Sequence, residues 1–289
     1  MALPSSANPF IMTTKAFWGI VLVLFIPLIA YFSLKKFTDR DVAMPRHYIP
    51  DSTIMVTKNG KQYVDTVWHK VADFELTNQM GQKVGWKDME GKVVVADFFF
   101  THCPTICPTL TLNMKALQDN IRYPDKMGGR DADFVQFLSF SIDPERDSVP
   151  QLKNWADRFQ VDPRNWWLLT GDKKTIYDLS IKEMRVPAED GGEIDTSFVH
   201  TDVFVLMDKH RNIRGYYHTI LNDNDKGGYV PDSATLERLS RDIVLLALEK
   251  DPTAEKSLLA GKLEIIAVVF FLVAIGLVVG FKFLKKEKR

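Results

Sequence analysis

The sequence VVVADFFFTHCPTICP, residues 93–108, decides how the rest of the chain is organised. Its first half is apolar, β-branched and aromatic, which predicts a buried strand over Val93–Phe100. Its second half holds Cys103 and Cys107, the only two cysteines among the 289 residues. The residues that follow repeat apolar side chains at helical spacing, which predicts a helix over Thr105–Ile121. Both thiols are therefore expected where a core strand leads into the first turn of a helix.

Two thiols at such a junction can act on the same atom. Residues four apart lie on one face of a helix, and a helix N-terminus favours the thiolate over the thiol. The pair can therefore form a disulfide, or bind Cu(I), zinc or an iron–sulfur cluster at an exposed strand–helix junction. Two buried, inert cysteines are the remaining alternative, and their shared position at the junction argues against it.

Apolar segments near both ends of the chain predict a membrane protein. Residues 16–34 predict a first transmembrane helix, for which a cleaved signal peptide is the alternative. Residues 262–284 predict a second transmembrane helix, whose flanking lysines can reach the membrane surface. The formal net charge is zero, so no basic surplus indicates a nucleic-acid partner.

Two spans put both chain ends on the same side of the membrane. The basic tail, residues 285–289, predicts that this side is the cytoplasm, although basic residues just after the first span favour the opposite orientation locally. Residues 1–15 are then cytoplasmic as well. Residues 41–70 are expected to form a linker and a β-hairpin, and residues 71–250 the main domain. The expected location is the cytoplasmic (inner) membrane, with the main domain in the periplasm, or in the intermembrane space of an organelle.

Strands and helices alternate along the main domain. An Asn59-Gly60 turn predicts a β-hairpin over residues 53–67, ahead of that domain. The domain is expected to close with a strand over residues 198–207, a further strand and a long helix over residues 232–250. This order predicts an α/β fold, a thioredoxin-like three-layer sandwich with an added N-terminal β-hairpin, flanked by two transmembrane helices. The three residues between the cysteines differ from the two of a thioredoxin redox motif.

Four short stretches carry a resemblance to a known family. They are FFTHCPTICP at 99–108, SIDPERDS at 141–148, LTG at 169–171 and VHTDVFVLMD at 199–208. On these stretches the chain resembles the Sco/SenC family, thioredoxin-fold copper-binding proteins of cytochrome c oxidase assembly, and the resemblance covers roughly residues 70–250. Thr105 stands where the family often has Asp, and Val199 where some members have Asp. The second span and the long hairpin are additions to the family pattern.

The resemblance implies both a ligand set and a function. It implies that Cys103, Cys107 and His200 bind copper. The protein would be a membrane-anchored copper metallochaperone that delivers copper to the dinuclear site of a cytochrome c oxidase subunit, or keeps the thiols of that subunit reduced. Its implied partners are the copper-bearing subunit of the oxidase, a thiol reductant or upstream copper donor, and the membrane.

Three other functions stay open at this point. A thiol–disulfide oxidoreductase would use Cys103 and Cys107 as a redox-active catalytic pair and would need neither metal nor His200. A peroxidase-like enzyme would need one activated cysteine beside a charged partner such as arginine. A redox or copper sensor would signal through the spans to a cytoplasmic partner.

Several other side chains could ligate or titrate. Asp97 is expected to be either a buried acid that aids proton transfer, like that of thioredoxins, or a satisfied strand residue. Asp143 and Asp147 are expected to cap the following helix, with partner docking as the alternative. His102 is expected to point away from the thiols, His47, His69, His210 and His218 to lie on the surface or in loops, and Met44 and Met55 to pack in a loop or the hairpin.

Overall fold

The computed structural model describes residues 43–58, 60–121, 133–186, 202–223 and 228–249, with scattered positions between 18 and 33 and at 269 and 276. The chain divides into two compact units, residues 44–249 and the combined ends 1–43 and 250–289. Within the described residues, no helix combines the length and the apolar character needed to cross a membrane. The segments expected to span the membrane fall largely outside those residues and stay predictions.

Strands dominate the unit of residues 44–249. They are β1 Pro50–Lys58, β2 Lys61–Trp68, β3 Leu76–Asn78, β4 Lys83–Val84, β5 Val93–Phe99, β6 Val135–Ser141, β7 Trp166–Thr170, β8 Val203–Met207, β9 Ile213–His218, β10 Ile220–Asp223 and β11 Gly228–Pro231. Seven of them form one sheet in the order β4-β3-β7-β6-β5-β8-β9, while β1 pairs with β2 and β10 pairs with β11 in separate two-stranded sheets. The central sheet is mixed, because β5, β6 and β7 are parallel and their outer neighbours are antiparallel to them.

The direction of the strands gives the sheet two different ends. Every residue of β5 and of β6 is buried, as expected for parallel strands covered on both faces. Both strands finish at what we call the thiol end, made of Phe99–Cys107 and Ser141–Asp147. The opposite end, called the clasp end, consists of the Asp208–Asn212 turn between β8 and β9 and of Arg214.

Helices cover both faces of the sheet. They are α1 Ile106–Ile121, α2 Val149–Arg158, α3 Lys173–Tyr177 and α4 Ser233–Leu248. One apolar cluster joins α1, α2 and α4 to one face of the sheet, through side chains such as Leu110, Trp155 and Ile243. A second cluster joins the other face to α3, to the turn that follows α3 and to a short 3-10 helix, Trp86–Met89. The predicted three-layer α/β sandwich is therefore confirmed.

The predicted N-terminal hairpin is also present. β1 and β2 pair antiparallel with Met55 opposite Val64, and both strands lie outside the central sheet. Gly60 has a φ of 74°, a left-handed conformation that glycine adopts without steric cost. A left-handed backbone conformation at this position is what the Asn-Gly turn signal predicts.

Two elements differ from the sequence prediction. The helix expected to run from Asp172 to about Ile181 ends as α3 at Tyr177 and continues as a π-helical turn, Asp178–Glu183. The predicted N-cap is correct, since the Asp172 carboxylate accepts a hydrogen bond from the Thr175 amide at 2.8 Å. The β10–β11 hairpin had no prediction. Of the strand expected over 198–207, residues 203–207 form β8 and residues 198–201 lie outside the described residues.

Candidate metal centre

The thiol end brings the two cysteines together in the predicted place. A tight turn after β5 closes where the Cys103 amide donates a hydrogen bond to the Phe100 carbonyl at 3.2 Å. Cys107 lies in the first turn of α1, and both cysteines are free thiols. Cys103 is only 5% exposed and Cys107 only 2%. The expectation of an exposed junction is therefore wrong, because the apolar cluster under α1 covers both residues.

The two thiols are electrostatically unequal. A hydrogen bond from the Cys107 thiol lowers the pKa of Cys103, and a further contact with Thr105 acts in the same direction. The Cys103 Sγ and the Thr105 Oγ1 lie 3.6 Å apart. The same hydrogen bond, followed by burial, raises the pKa of Cys107. These shifts favour the thiolate at Cys103 and the protonated thiol at Cys107. A hydroxyl at position 105 supports the thiolate without adding a second negative charge.

Asp97 lies on β5 and faces α1, on the same side of the sheet as the thiols. It is 2% exposed, and burial raises its pKa to about 7, against a smaller opposing hydrogen bond with Ser139. Its Oδ1 has no hydrogen-bond partner within the described ranges. Its charge also contributes to raising the pKa of Cys107. Of the two interpretations left open, a buried acid coupled to the thiol pair fits these contacts, and a satisfied strand residue does not.

Asp147 does not cap a helix, so that prediction is wrong. Ser148 occupies the N-cap position of α2, with no side-chain hydrogen bond there. The Asp147 carboxylate turns inward and accepts hydrogen bonds from the Thr101 hydroxyl at 2.5 Å, the Ser141 hydroxyl at 2.6 Å and the Thr101 amide at 3.1 Å. Asp143, the other predicted cap, instead pairs with the Arg146 guanidinium at 2.5 Å.

The described histidines take several different places. His102 stands at the thiol end with its side chain 47% exposed, and its Nδ1 lies 3.1 Å from the Thr101 hydroxyl and 3.7 Å from Asp147. His210 and His218 are exposed, as predicted. His47 and His69 lie in loops, as predicted, and both are partly buried. His47 stacks on Trp68 with ring centroids 4.7 Å apart, and His69 lies between two carboxylates, 3.2 Å from Asp51 and 3.4 Å from Glu183.

The predicted third ligand falls outside the described residues. His200 belongs to residues 187–201, which are not among the described residues, so the ligand set of Cys103, Cys107 and His200 stays a prediction. Among the residues that the structure describes, no group of three or more His, Cys, Asp or Glu side chains could hold a metal ion. Met44 and Met55, expected to pack, are 37% and 64% exposed.

Sequence reasoning missed one feature of the thiol end and one of the clasp end. At the thiol end, Thr101 follows β5 and Ser141 ends β6, and both donate hydrogen bonds to the Asp147 carboxylate. At the clasp end, the Arg214 side chain is buried within β9. A charged residue inside an apolar strand was the signal for the second feature. No local pattern signals the first, because Thr101 and Asp147 are 46 positions apart.

The fold and the site define a thioredoxin-like domain with two free thiols at a helix N-terminus. A family model described as SCO1/SenC matches residues 65–226, and the chain belongs to this family. The SCO1 protein homolog of Bacillus subtilis is 32% identical over 164 residues, which are 56% of this chain and 81% of that protein. The chain spans only about half the length of the mitochondrial relatives that it also matches.

The chain is also similar to solved structures of other proteins. BsSco, a member of the Sco family of cytochrome c oxidase assembly proteins, is 27% identical, with 64% of this chain and 98% of that chain covered and a TM-score of 0.49. Bradyrhizobium japonicum ScoI, whose structure has copper bound, is 29% identical, with 61% and 99% covered and a TM-score of 0.43.

Proposed function

We propose that this protein is a membrane-anchored copper metallochaperone that serves assembly of the copper site of a cytochrome c oxidase. Its cargo would be held by Cys103, Cys107 and His200. Membership of the SCO1/SenC family supports the proposal. Copper is the metal bound to the Bradyrhizobium japonicum relative, and oxidase assembly is the role given for BsSco.

The observation that carries the proposal is the pair of free thiols at the N-terminus of α1. Soft sulfur ligands select Cu(I) over hard cations, and imidazole is an accepted third ligand. Pairing of Ala96 with Val205 puts the beginning of β8 beside the end of β5, at the thiol end. Only two residues separate His200 from Val203, where β8 begins. A site of three ligands leaves a position at which the thiols of a partner protein could attack.

The thiol pair also gives the proposed carrier a redox control. Oxidation of Cys103 and Cys107 forms one S–S bond, releases the proton of the Cys107 thiol and passes two electrons to an oxidant, such as the disulfide of a partner. The disulfide has no thiolate left to bind metal, so metal loading requires the reduced pair. A thiol reductant, in addition to a copper donor, is therefore a required partner in this proposal.

The location follows from the two predicted spans. We propose that they anchor the protein in the cytoplasmic membrane, with residues 71–250 on the periplasmic side. The basic tail at 285–289 supports this orientation. An oxidising compartment also explains why the redox state of the thiols would control metal loading.

The test is an anaerobic Cu(I) titration of the full-length reduced chain against a chromophoric chelator. We expect one tightly bound Cu(I) per chain, and we expect His200→Ala to abolish tight binding. His218→Ala is the matched control, since His218 has a 67% exposed side chain and pairs with Asp202. Unchanged Cu(I) affinity in His200→Ala would remove His200 from the ligand set, and a wild type without tight binding would refute the copper proposal.

A thiol–disulfide oxidoreductase that reduces the cysteines of an oxidase subunit is the second candidate. It is favoured by one specific observation, the buried Asp97 beside a pair with one lowered and one raised thiol pKa. Such an acid can pass a proton to or from Cys107 during exchange. The His200→Ala variant separates the two functions, because dithiol–disulfide cycling does not require the imidazole.

A further inference from the structure

The Asp147 carboxylate connects the end of β6 to the turn that carries Cys103. Asp147 is 0% exposed, and its side chain accepts three hydrogen bonds, two from Thr101 and one from Ser141. Burial of a carboxylate is unfavourable unless hydrogen bonds replace its hydration. The three donors satisfy that need, and together they hold Thr101 against the end of β6.

The residues around Asp147 are themselves fixed. The Asp147 amide donates to the Asp143 carbonyl at 2.9 Å, which closes the turn that follows β6. The Ser141 hydroxyl also accepts a hydrogen bond from the Asp143 amide at 3.2 Å. The carboxylate therefore projects from a closed turn and offers a fixed acceptor to the loop opposite it.

The position of Thr101 determines the position of Cys103. Thr101 is the first of the two residues inside the turn that ends with the hydrogen bond from the Cys103 amide to the Phe100 carbonyl. Cys107, by contrast, is held by α1, where the Thr111 hydroxyl donates to its carbonyl at 2.8 Å. One sulfur is thus fixed by a helix and the other by a turn that depends on Asp147.

We propose that Asp147 is a positioning residue, which holds the Phe100–Cys103 turn so that the Cys103 sulfur stays in place beside Cys107 for the metal. This proposal deepens the proposed function and rests on it. A ligand that is already in place loses less freedom on binding, and the partners that orient metal ligands typically contribute tenfold to a hundredfold in affinity.

The test compares Asp147→Asn with Asp208→Asn in the full-length reduced chain. Asp208 is the matched control because it is also buried, at 3% exposure, and also accepts several hydrogen bonds, but at the clasp end. For Asp147→Asn we expect a Cu(I) affinity lower by about tenfold to a hundredfold and faster hydrogen exchange of the Thr101 amide. For Asp208→Asn we expect neither change, even if the fold is less stable.

A second variant keeps the test informative if Asp147→Asn does not fold. Thr101→Val removes one hydroxyl donor but leaves the amide donor, so we expect a smaller loss of Cu(I) affinity, about fivefold. Wild-type affinity in a folded Asp147→Asn, or an unchanged Thr101 exchange rate, would overturn the proposal. If the wild type itself does not bind Cu(I), the proposed function fails, and the Thr101 exchange rate still decides whether Asp147 holds the turn.

Discussion

The two ends of the central sheet each contain a buried aspartate, and the two are held in different ways. At the thiol end, the described donors to Asp147 are neutral groups, two hydroxyls and one amide, and the His102 Nδ1 lies 3.7 Å away. At the clasp end, Asp208 pairs with the Arg214 guanidinium at 3.0 Å. Arg214 also binds Glu249 at 2.6 Å and the Pro45 carbonyl at 2.6 Å. Arg214 therefore joins the first and last parts of the folded unit, residues 44–249.

This difference indicates that the two ends contribute to different properties of the protein. A buried ion pair is very costly to break from one side, because the partner left behind is an uncompensated charge. Hydrogen bonds from neutral donors to a carboxylate contribute about 1.5–3 kcal/mol each, which is less than the cost of breaking a buried ion pair, but they fix direction, which a metal ligand requires. We infer that the clasp end mainly keeps the unit folded and that the thiol end mainly keeps two sulfurs in position.

Arg214→Met should give the largest effect on stability. The change leaves Asp208 buried without its cation, so we expect the free energy of unfolding to fall by about 3–5 kcal/mol, measured by urea denaturation. Cu(I) affinity of the folded variant should not change. Arg164→Met is the control, because Arg164 pairs with Asp162 and has a 62% exposed side chain, and should cost less than about 1 kcal/mol. A comparable loss of free energy of unfolding in both variants would contradict the inference that the clasp end mainly keeps the unit folded.

Asp97→Asn should remove a pH dependence that comes from the buried acid of β5, whose charge also affects the pKa of Cys107. The folded-state pKa of Asp97 is about 7, against 3.8 for the ordinary carboxyl group. Between these values the folded protein keeps a proton that the unfolded chain has lost, so the stability of the wild type falls as the pH rises from about 4 to about 7. We expect a loss of about 3 kcal/mol between pH 5 and pH 8, which Asp97→Asn abolishes.

Urea denaturation at pH 5 and pH 8 measures this difference, and subtracting the variant from the wild type removes what other groups contribute. If the wild type and Asp97→Asn differ in free energy of unfolding by the same amount at both pH values, Asp97 does not titrate in this range. The same variant should slow disulfide exchange by the thiol pair if the acid serves Cys107 as a proton partner.

Local sequence patterns could predict the elements of this fold but not the contacts that join its two ends. The apolar run before Cys103 predicts β5, because a strand covered on both faces needs apolar residues at every position. The spacing after Cys103 predicts α1, because one face of that helix must meet the core. Both properties belong to short segments, so they can be seen without tertiary structure.

Asp147 shows why the rest could not be predicted. In the sequence it stands just before α2, where an aspartate most often caps a helix. Its real partners, Thr101 and Ser141, come from other elements, and only folding brings them into contact. Burial of the thiols has a similar cause, since the cover over Cys103 and Cys107 comes from distant parts of the chain such as Trp155 and Phe204.

His47→Gln should have the smallest effect, and its pH dependence should be opposite in sign to that of Asp97. Burial, followed by the nearby Arg214 charge, lowers the pKa of His47 below 6.5. The folded protein therefore binds this proton less readily than the unfolded chain does. The contribution of the neutral His47 imidazole to the free energy of unfolding is therefore complete above pH 6.5 and is lost as the pH falls. The variant also loses the stacking of His47 on Trp68, which should cost about 1 kcal/mol at pH 8.

The wild type and His47→Gln should therefore differ most at pH 8 and least at pH 5, in urea denaturation at both values. Carboxylates of Asp208 and Glu249 also face this imidazole and act in the opposite direction, which keeps the change small. If the wild type and His47→Gln instead differ more in their free energy of unfolding at pH 5 than at pH 8, the two carboxylates affect the pKa of His47 more than Arg214 and burial do. The clasp end would then be stabilised by acid rather than weakened by it, and the two ends of the sheet would respond to pH in the same direction.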